Sequence, residues 1–325
     1  MLEKFMVIGD LHIRETNPVS RLDNYEEAIQ KKLQFLIMKA QEEKHKAVIL
    51  LGDIFDTPKV GYECLLRTAN TLSMFSGKLY IVNGNHDIYN YSMETVTRTA
   101  IYMLSRICHN VVVCHTGTEN LIEDKLDAHF YGFSEHVDKV VDGVVVGYEP
   151  SVVDLSKKNV AFGHVMLLSK DAPYKRKTLI EDLPELPWDY YFAGHNHTGW
   201  GEFKFRNTVY VNYGAICRKS ASEEERSRDI LACTLVYNHY NDSLSLEVFD
   251  VPHASGEEVL TRSHLLKKEI TQDIQAEFID VIESEVTGQK YQTVKEFVED
   301  VAEKFEVDKE VRDNALHWLN VASAD

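Results

Sequence analysis

Five short apolar runs in this chain each lead into a glycine turn, and side chains that can bind metals follow the turn. The runs have the length of strands, and a turn at the end of a buried strand presents the next side chains at the strand's edge. In chain order they are Phe5–Ile8 with Asp10 and His12, Val48–Leu51 with Asp53, Tyr80–Val82 with Asn85, His86 and Asp87, Val160–Phe162 with His164, and Tyr190–Ala193 with His195 and His197. We interpret these side chains as one site assembled from distant positions.

The composition is that of a soluble globular protein with a strong negative charge. The 325 residues are 44% hydrophobic, and the net charge is −17. This charge argues against binding nucleic acid over the whole surface but leaves room for a local site. We find no signal-peptide pattern and no apolar stretch near the roughly 18 residues that span a bilayer, and therefore expect a cytoplasmic protein without a membrane association. The five cysteines lack paired metal-binding spacing and are predicted to be reduced thiols.

The order of elements predicts an α/β fold. Strands near 5–8, 47–51, 79–82 and 111–114 alternate with helical patterns at 21–44, 64–77 and 94–106, as in a sheet with right-handed crossovers. From residue 160 onward strands dominate, with hairpins near 206–207 and 238–242. We predict a four-layer α/β/β/α sandwich in residues 1–255. A composition shift at Gly256 begins a helical C-terminal region, 256–325.

The residue types predict a site for two divalent metals. Asp10 and His12 are one residue apart and can chelate one ion, while the Asp53 carboxylate can bridge two ions about 3.5–4 Å apart. Single Asp-x-His or Gly-Asp pairs are usually loops or turns, but five such motifs after apolar runs are not explained that way. Mixed nitrogen and oxygen ligands favour Mn²⁺, Fe²⁺ or Zn²⁺ over Mg²⁺.

The ordered motifs D-x-H, G-D, G-N-H-D, G-H and G-H-x-H resemble those of the calcineurin-like metallophosphoesterases over residues 5 to about 215. The resemblance implies that two metals are held by protein ligands and that a metal-bound hydroxide attacks the phosphorus. It implies a first ligand set of Asp10, His12, Asp53 and His197, and a second of Asp53, Asn85, His164 and His195. It also implies that His86 is the acid facing the scissile phosphate, with Asp87 orienting its ring.

Within that family, residues 52–57, Gly-Asp-Ile-Phe-Asp-Thr, together with Gly-Asn-His-Asp at 84–87, look like the SbcD group of DNA-repair nucleases, including compact phage-encoded subunits. Protein phosphatases of the same fold instead carry G-D-x-x-D-R-G and G-N-H-E. The turn at 211–215 is similar to the N-x-G-S of the SbcD group, with Ala215 where serine is usual. The group's cellular members are longer, so a DNA-contacting cap would be reduced here.

The SbcD resemblance implies DNA and an SMC-like ATPase as partners. Basic residues and an aromatic side chain near the motifs are candidate DNA contacts, with solvated loop charges and loop packing as the alternative: Lys175, Arg176, Lys177, Arg218 and Tyr89. Helical patterning in 256–325, ending in Leu316, Trp318 and Leu319, fits docking onto the ATPase. A self-contained helical domain or a homodimer surface is the alternative.

The sequence therefore predicts a Mn²⁺-preferring nuclease that hydrolyses phosphodiesters at DNA ends or in single strands, in DNA repair or recombination. The first rival is a phosphodiesterase or phosphatase for a small phosphorylated molecule. The second rival is a binding module without catalysis, and it is disfavoured because no motif position is lost.

Overall fold

The computed structural model describes residues 1–114, 118–123, 125–133, 139–141, 144–150, 153–174, 176–263, 294–309, 311–313 and 315–316. The chain divides into two compact units, Met1–Thr261 and Arg262–Asp325. A short helix at Gly256–Val259 lies within the first unit. The assignment of 256–325 as a separate functional region stays a prediction.

Two sheets build the first unit. In the described residues the first sheet has six strands in the order β16-β15-β1-β2-β3-β4. Its strands are β1 (Leu2–Ile8), β2 (Ala47–Leu50), β3 (Lys78–Val82), β4 (Val111–Cys114), β15 (Leu231–Asn238) and β16 (Ser243–Asp250). The strands β1 to β4 run parallel, and β15 and β16 are added antiparallel at one side. The parallel strands bring three of the five motifs to one edge.

The second sheet carries the other two motifs. In the described residues it has six strands in the order β13-β14-β12-β9-β6-β5. These are β5 (Thr118–Glu123), β6 (Leu126–Tyr131), β9 (Lys158–His164), β12 (Tyr190–Gly194), β13 (Gly201–Phe205) and β14 (Thr208–Asn212). Four short strands form two small ladders outside it: β7 (Lys139–Val141) with β8 (Val144–Val146), and β10 (Leu167–Leu168) with β11 (Thr178–Leu179).

Helices cover the outer face of the first sheet. They are α1 (Tyr25–Glu42), α2 (Tyr62–Leu72) and α3 (Ala100–Ile107), and shorter helices follow at α4 (Glu223–Ser227) and α5 (Gly256–Val259). Asn24 caps α1 by accepting a hydrogen bond from the backbone N–H of Glu27, which satisfies one of the free donors of the first turn. Leu33 and Leu36 of α1 pack with Met6 and Ile8 of β1 in one buried cluster.

A second apolar core lies between the two sheets. Phe5 and Ile49 of the first sheet share a buried cluster with Phe130, Phe162 and Phe192 of the second sheet, and their rings stack at centroid distances of 5.6 Å (Phe130 and Phe162) and 5.2 Å (Phe162 and Phe192). The mixed α/β sandwich that the sequence predicts is therefore confirmed.

The outer face of the second sheet is covered differently from the first. Tyr148, Leu167, Leu183 and Trp188 pack there against Tyr191. The described part of this layer contains the two small ladders, a short 3-10 turn, Ile180–Asp182, directly after β11, and irregular segments. The four-layer prediction placed helices outside both sheets, and the described cover of this face is mostly ladders and irregular chain.

Local differences from the predicted elements are small. The helix predicted at 94–106 is a 3-10 stretch, Met93–Arg98, followed by α3, which Thr99 caps through the backbone N–H of Tyr102. A further 3-10 turn lies at Tyr89–Tyr91. The hairpin predicted at 206–207 joins β13 to β14, with Arg206 at a φ of 52°.

The second unit is described in part. Its helix α6 spans Val294–Lys304, with Val301 and Ala302 buried. The apolar residues predicted near 274–282, and Trp318 and Leu319 of the predicted docking helix, lie outside the described residues. Of the helices in the described chain, none combines the length and the apolar character that crossing a bilayer requires.

Candidate metal centre

The five motif loops converge where the carboxyl edges of the two sheets meet. Three of them follow β1, β2 and β3 of the first sheet, and two follow β9 and β12 of the second. The side chains brought together are the seven predicted ligands: Asp10, His12, Asp53, Asn85, His164, His195 and His197. The structure thus gathers residues that are up to 187 positions apart, from Asp10 to His197.

The first predicted ligand set forms a compact cluster. Donor atoms of Asp10, His12, Asp53 and His197 all lie within 4.8 Å of one another. His12 Nε2 lies 2.9 Å from His197 Nε2 and 3.3 Å from Asp53 Oδ2. His197 Nε2 is 3.4 Å from Asp10 Oδ2. Neighbouring ligands of one ion, with bonds of about 2.1 Å, lie roughly 3 Å apart, so these separations are those of atoms around a common cation.

The second predicted set lies beside the first and shares Asp53. Donor atoms of Asp53, His164 and His195 lie within 4.8 Å of one another. His164 Nε2 is 3.4 Å from Asp53 Oδ2 and 3.1 Å from Asn85 Oδ1. Asn85 therefore brings its amide oxygen to the same cluster as a neutral ligand.

Asp53 occupies the position between the two sets. Its Oδ1 accepts a hydrogen bond of 2.8 Å from the backbone N–H of His86, which fixes the carboxylate. Its Oδ2 is buried without a hydrogen-bond partner and faces Nε2 of both His12 and His164. A buried carboxylate oxygen left without a donor is costly, and two cations on either side would satisfy it.

Hydrogen bonds behind the ligands set which nitrogen faces the cluster. His164 Nδ1 donates to the carbonyl of Leu51 at 2.8 Å, and His12 Nδ1 lies 3.1 Å from Asp56 Oδ1. Because Nδ1 of His164 is the donor, its Nε2 carries the lone pair that binds a metal. Nδ1 of His12 lies against both Asp56 and Lys219, which leaves Nε2 of that ring facing the cluster. The backbone N–H of His195 donates to both oxygens of Asp10, at 3.2 and 3.0 Å, and orients that carboxylate.

The electrostatics of the cluster favour cations. Burial raises the pKa of Asp10, and the nearby Asp53 carboxylate acts in the same direction. Burial acts to lower the pKa of His164, yet the carboxylates of Asp53 and Asp10 raise it to about 10. Burial lowers the pKa of His195 to about 3, so this ring stays neutral and available as a ligand. Two buried carboxylates thus need positive charge, and divalent ions at the two sets would supply it.

The backbone at the site is held in uncommon conformations. His12, Asp53 and His195 have φ values of 47°, 47° and 78°, a region that residues other than glycine seldom adopt and that clusters at functional sites. Gly84 is required for close approach, because a Cβ there would lie 2.1 Å from Asp53 Oδ1. The loops are therefore shaped to aim their side chains inward.

The profile of the calcineurin-like phosphoesterase family matches residues 3–199, a range that contains all seven clustered side chains. The chain belongs to the calcineurin-like phosphoesterase family. Members typically bind two divalent metals, and the clustered aspartates and histidines are the candidate ligands here. A metal-dependent hydrolase that acts on phosphoesters is the activity that this family indicates.

Solved structures were also found to be similar to this chain. A dimetal phosphatase from Danio rerio is similar with a TM-score of 0.50 at 13% identity, over 77% of this chain and 97% of that one. A calcineurin-like phosphoesterase, YfkN, from Bacillus subtilis is similar with a TM-score of 0.40 at 12% identity, over 85% of this chain and 97% of that one. The first likeness shows a shared fold and leaves the substrate open. A comparison with curated proteins found no significant match.

His86 differs from the ligands of this calcineurin-like phosphoesterase in exposure. Its side chain is 39% exposed, whereas those of His12 and His164 are fully buried. Its Nδ1 lies 2.7 Å from the backbone carbonyl of Asp56, so Nδ1 donates and Nε2 is left for a substrate. This placement suits a proton donor at the rim of the centre, the role that was predicted for it.

Asp87 forms no hydrogen bond or ion pair with the His86 ring among the described residues, so the structure does not show the predicted role of Asp87 in orienting that ring. Its Oδ1 accepts from the backbone N–H groups of Ile54 and Phe55 at 3.1 and 3.3 Å, and its Oδ2 accepts from Gly84 at 2.9 Å. Asp87 therefore joins the loops after β2 and β3, and the carbonyl of Asp56 orients the His86 ring instead. The Asp87 carboxylate accepts hydrogen bonds from these buried backbone N–H groups, whereas the His86 ring lies partly exposed at the rim.

Asp56 is a site residue that the sequence reasoning missed. Its carboxylate contacts the rings and cations around the first ligand set, at 3.1 Å from His12 Nδ1, 2.7 Å from Lys219 Nζ and 2.9 Å from Arg14 Nη1. Burial acts to raise its pKa, but His12 and Lys219 bring the pKa below its usual value, so it stays ionised. The Gly-Asp-Ile-Phe-Asp-Thr motif could have indicated this residue, because Asp56 is the second aspartate of the motif and Asp53, the first, is a predicted ligand.

Replacing Asp56 by Ala is expected to weaken binding of Mn²⁺ at the first set by about 10- to 100-fold, as for other groups that orient a metal-binding histidine. Asp56→Asn should lose less, because its amide oxygen can still accept from His12 Nδ1. Titration calorimetry with Mn²⁺ measures both variants. Unchanged Mn²⁺ affinity in Asp56→Ala would show that Asp56 does not position His12.

The residues predicted to contact DNA differ in their exposure to solvent. Arg176 is exposed, Lys177 pairs with Asp171, and Tyr89 is half-buried, while Lys175 lies outside the described residues. Arg218 is 2% exposed, and its guanidinium donates to the carbonyl of Ala254 at 2.8 Å. The structure therefore does not bring Arg218 to the surface as a DNA contact requires; its charge is directed inward because it bonds backbone carbonyls there.

A cleft of about 820 Å³ opens beside the metal centre. Asp53, His86, His195 and His197 line it at the centre. Its other walls include aromatic, basic and acidic side chains, namely Tyr174, Trp200, Lys170, Asp171, Glu224 and Glu225. The volume is at the upper end of the range for small-molecule sites, about 300–1,000 Å³.

Proposed function

We propose that this calcineurin-like phosphoesterase is a dinuclear, Mn²⁺-preferring nuclease that hydrolyses phosphodiesters at DNA ends or in single-stranded DNA. The observation that carries the dinuclear part is Asp53, whose unpaired Oδ2 faces His12 and His164 of the two ligand sets. Two divalent ions, when bound, would neutralise the phosphate and activate the nucleophile. Imidazole and carboxylate donors together favour Mn²⁺, with Fe²⁺, Zn²⁺ and Mg²⁺ as alternatives.

Residues of the chain itself orient the metal ligands and supply the proton donor. Asp56 and Leu51 hold His12 and His164 with Nε2 toward the centre. His86 presents Nε2 at the rim of the cleft and would give its proton to the leaving oxygen. The carbonyl of Asp56 keeps the His86 ring in this orientation through Nδ1.

The DNA part of the proposal is supported by the SbcD-like motif and by the size of the cleft. The second aspartate of that motif, Asp56, contacts a ligand through its carboxylate and the candidate acid through its carbonyl. The cleft of about 820 Å³ is at the upper end of the range for small-molecule sites and leaves room for a substrate larger than a simple phosphoester. Tyr174 is 42% exposed in its wall and could stack on a base.

A phosphatase or phosphodiesterase for a small phosphorylated molecule is the second candidate. The acidic side chains Asp171, Glu224 and Glu225 in the cleft favour it, because carboxylates repel a polyanionic strand. The net charge of −17 acts in the same direction.

One assay separates these functions. Purified protein with Mn²⁺ is given end-labelled single-stranded DNA, plasmid, bis-p-nitrophenyl phosphate and p-nitrophenyl phosphate. We expect cleavage of DNA and of the diester to exceed that of the monoester. Hydrolysis of the monoester with DNA left intact would contradict the nuclease proposal and support the small-molecule candidate.

We further propose that the C-terminal unit docks an SMC-like ATPase. All seven predicted ligands and His86 lie before residue 200 and within the first unit. The chain end carries Ala315, Leu316, Trp318 and Leu319 at helical spacing, and an aromatic anchor on such a helix suits a partner groove.

Deletion of residues 310–325 is therefore expected to leave cleavage of short single-stranded DNA within a few-fold of the full chain. The same deletion should abolish co-purification with an SMC-like ATPase, while Trp318→Ala weakens it. Loss of intrinsic cleavage on truncation would place the tail in the catalytic unit. A change from dimer to monomer, measured by light scattering, would assign the tail to self-association instead.

A further inference from the structure

A cavity of about 310 Å³ lies in the first unit between the start of α1 and the segment 252–254, apart from the metal-centre cleft. Four cationic side chains line it: Arg21, Lys31, Lys32 and Arg218. The carboxylates in its wall are Asp23 and Glu27. In a chain with a net charge of −17, this is a local concentration of positive charge.

Both wall carboxylates are already paired. Asp23 accepts from Arg21 through both oxygens, at 2.7 and 2.6 Å. Glu27 pairs with Lys31 at 2.7 Å. Behind the wall, Glu225 pairs with Arg228 at 3.1 Å. These three carboxylates are thus each paired with a cation other than Lys32 and Arg218, while the charges of Glu225 and Asp229 still act on Arg218 from nearby.

Lys32 and Arg218 remain as buried basic side chains with carbonyl partners. Lys32 is 7% exposed, and its Nζ donates to the carbonyl of Ile216 at 2.9 Å. Arg218 is 2% exposed, donates to the carbonyls of Ala254 and Arg228, and has an Nε–H without a hydrogen-bond partner. In the described part of the chain neither side chain forms an ion pair. Buried charges in proteins are usually paired or bound to a counter-ion.

Two further features favour an anion there. Burial lowers the pKa of Lys32 to about 7, and the charges of Arg21 and Arg218 act in the same direction, so an anion bound beside Lys32 would favour its protonated form. Asn24 and Ala28 of the N-terminal end of α1 also line the cavity. The N-terminus of a helix adds a partial positive charge that stabilises anions.

We propose that this cavity binds a phosphate dianion, carried by inorganic phosphate or by a small phosphate monoester. Lys32 and Arg218 would supply the charge-assisted hydrogen bonds, while Arg21 and Lys31 offset the wall carboxylates Asp23 and Glu27 with which they pair. The cavity volume, about 310 Å³, is at the lower end of small-molecule sites and excludes a strand of nucleic acid.

Equilibrium dialysis of the metal-loaded full chain with labelled inorganic phosphate tests the proposal. Lys32→Met keeps the length of the side chain and removes its charge. Ala28→Glu places a carboxylate at the cavity wall without removing any cation, and Glu near a helix N-terminus does not weaken the helix. Lys39→Met is the matched control, since Lys39 lies on the same helix, pairs with Glu43 and is outside the cavity.

Wild type and Lys39→Met should each bind one more phosphate per chain than Lys32→Met and Ala28→Glu do. If the two cavity variants still bind that phosphate, their affinity for it should be roughly tenfold lower than that of wild type. Hydrolysis of bis-p-nitrophenyl phosphate within twofold of wild type, on the order of assay error, shows that the variants are folded. Phosphate uptake by Lys32→Met and Ala28→Glu equal to that of wild type would overturn the proposal. Competition by thymidine 5′-monophosphate at the Lys32-dependent site assigns the monoester, and failure to compete assigns inorganic phosphate.

Discussion

Replacing Asp53 by Asn is expected to reduce metal-dependent hydrolysis of bis-p-nitrophenyl phosphate by roughly 10²-fold or more at saturating Mn²⁺, because the carboxylate lies between the two ligand sets and would be shared by both ions. The amide oxygen of the new side chain would still accept the backbone N–H of His86, the bond that Asp53 Oδ1 accepts at 2.8 Å. The amide nitrogen would then replace Oδ2, the atom that faces His12 and His164. An N–H group cannot bind a cation, so the variant should keep the shape of the site but lack the oxygen atom that would be shared by the two ions.

The control for this variant is Asp250→Asn, at the exposed end of β16. It removes the same charge and should keep activity within about twofold, as surface substitutions usually do. Retention of more than about a tenth of wild-type activity in Asp53→Asn would count against the dinuclear assignment. Thermal unfolding of both variants separates loss of chemistry from loss of fold.

Replacing His86 by Ala is expected to lower kcat by roughly 10²-fold while both metals stay bound, since general acid catalysis contributes on this order. The structure explains why the metals should stay. The bond that fixes Asp53 comes from the backbone N–H of residue 86, which Ala retains, and the His86 side chain is 39% exposed at the rim. Metal content by mass spectrometry and the rate of cleavage of single-stranded DNA give the two readouts.

A substrate with a better leaving group sharpens the His86 test. A proton donor matters less as the leaving oxygen becomes more acidic, so the deficit of His86→Ala should be smaller with bis-p-nitrophenyl phosphate, whose leaving group is acidic, than with DNA. His109→Ala, at an exposed position, serves as the control. Loss of one metal from His86→Ala would identify His86 as a ligand rather than the acid.

The fold and the location of the site could be predicted because both depend on patterns local to the strands. Apolar runs such as Phe5–Ile8 and Tyr190–Ala193 are strands with buried faces, and glycines end them. Parallel strands present their carboxyl ends at a common edge, so the side chains after them meet. The seven predicted ligands therefore cluster although they come from five separate loops.

The hydrogen bonds behind the ligands could not be predicted in the same way. Asp56 and Asp87 both follow a strand in similar motifs, yet Asp56 contacts His12 while Asp87 binds the backbone N–H groups of Ile54, Phe55 and Gly84. Which of two nearby carboxylates takes which donor depends on loop conformation, here on positive φ values at His12 and Asp53. The burial of Arg218 could not be predicted either, because it depends on the path of the distant segment 252–254 and not on the neighbours of Arg218 in sequence.

The central claim is that the two sheets assemble a centre for two metals that share Asp53. Anomalous diffraction from crystals of the Mn²⁺-loaded protein, measured on either side of the manganese absorption edge, tests it most directly. We expect two anomalous peaks about 3.5–4 Å apart. One peak should lie beside Asp10, His12 and His197, the other beside Asn85, His164 and His195, and Asp53 should contact both. A single peak, or two peaks without Asp53 between them, would contradict it.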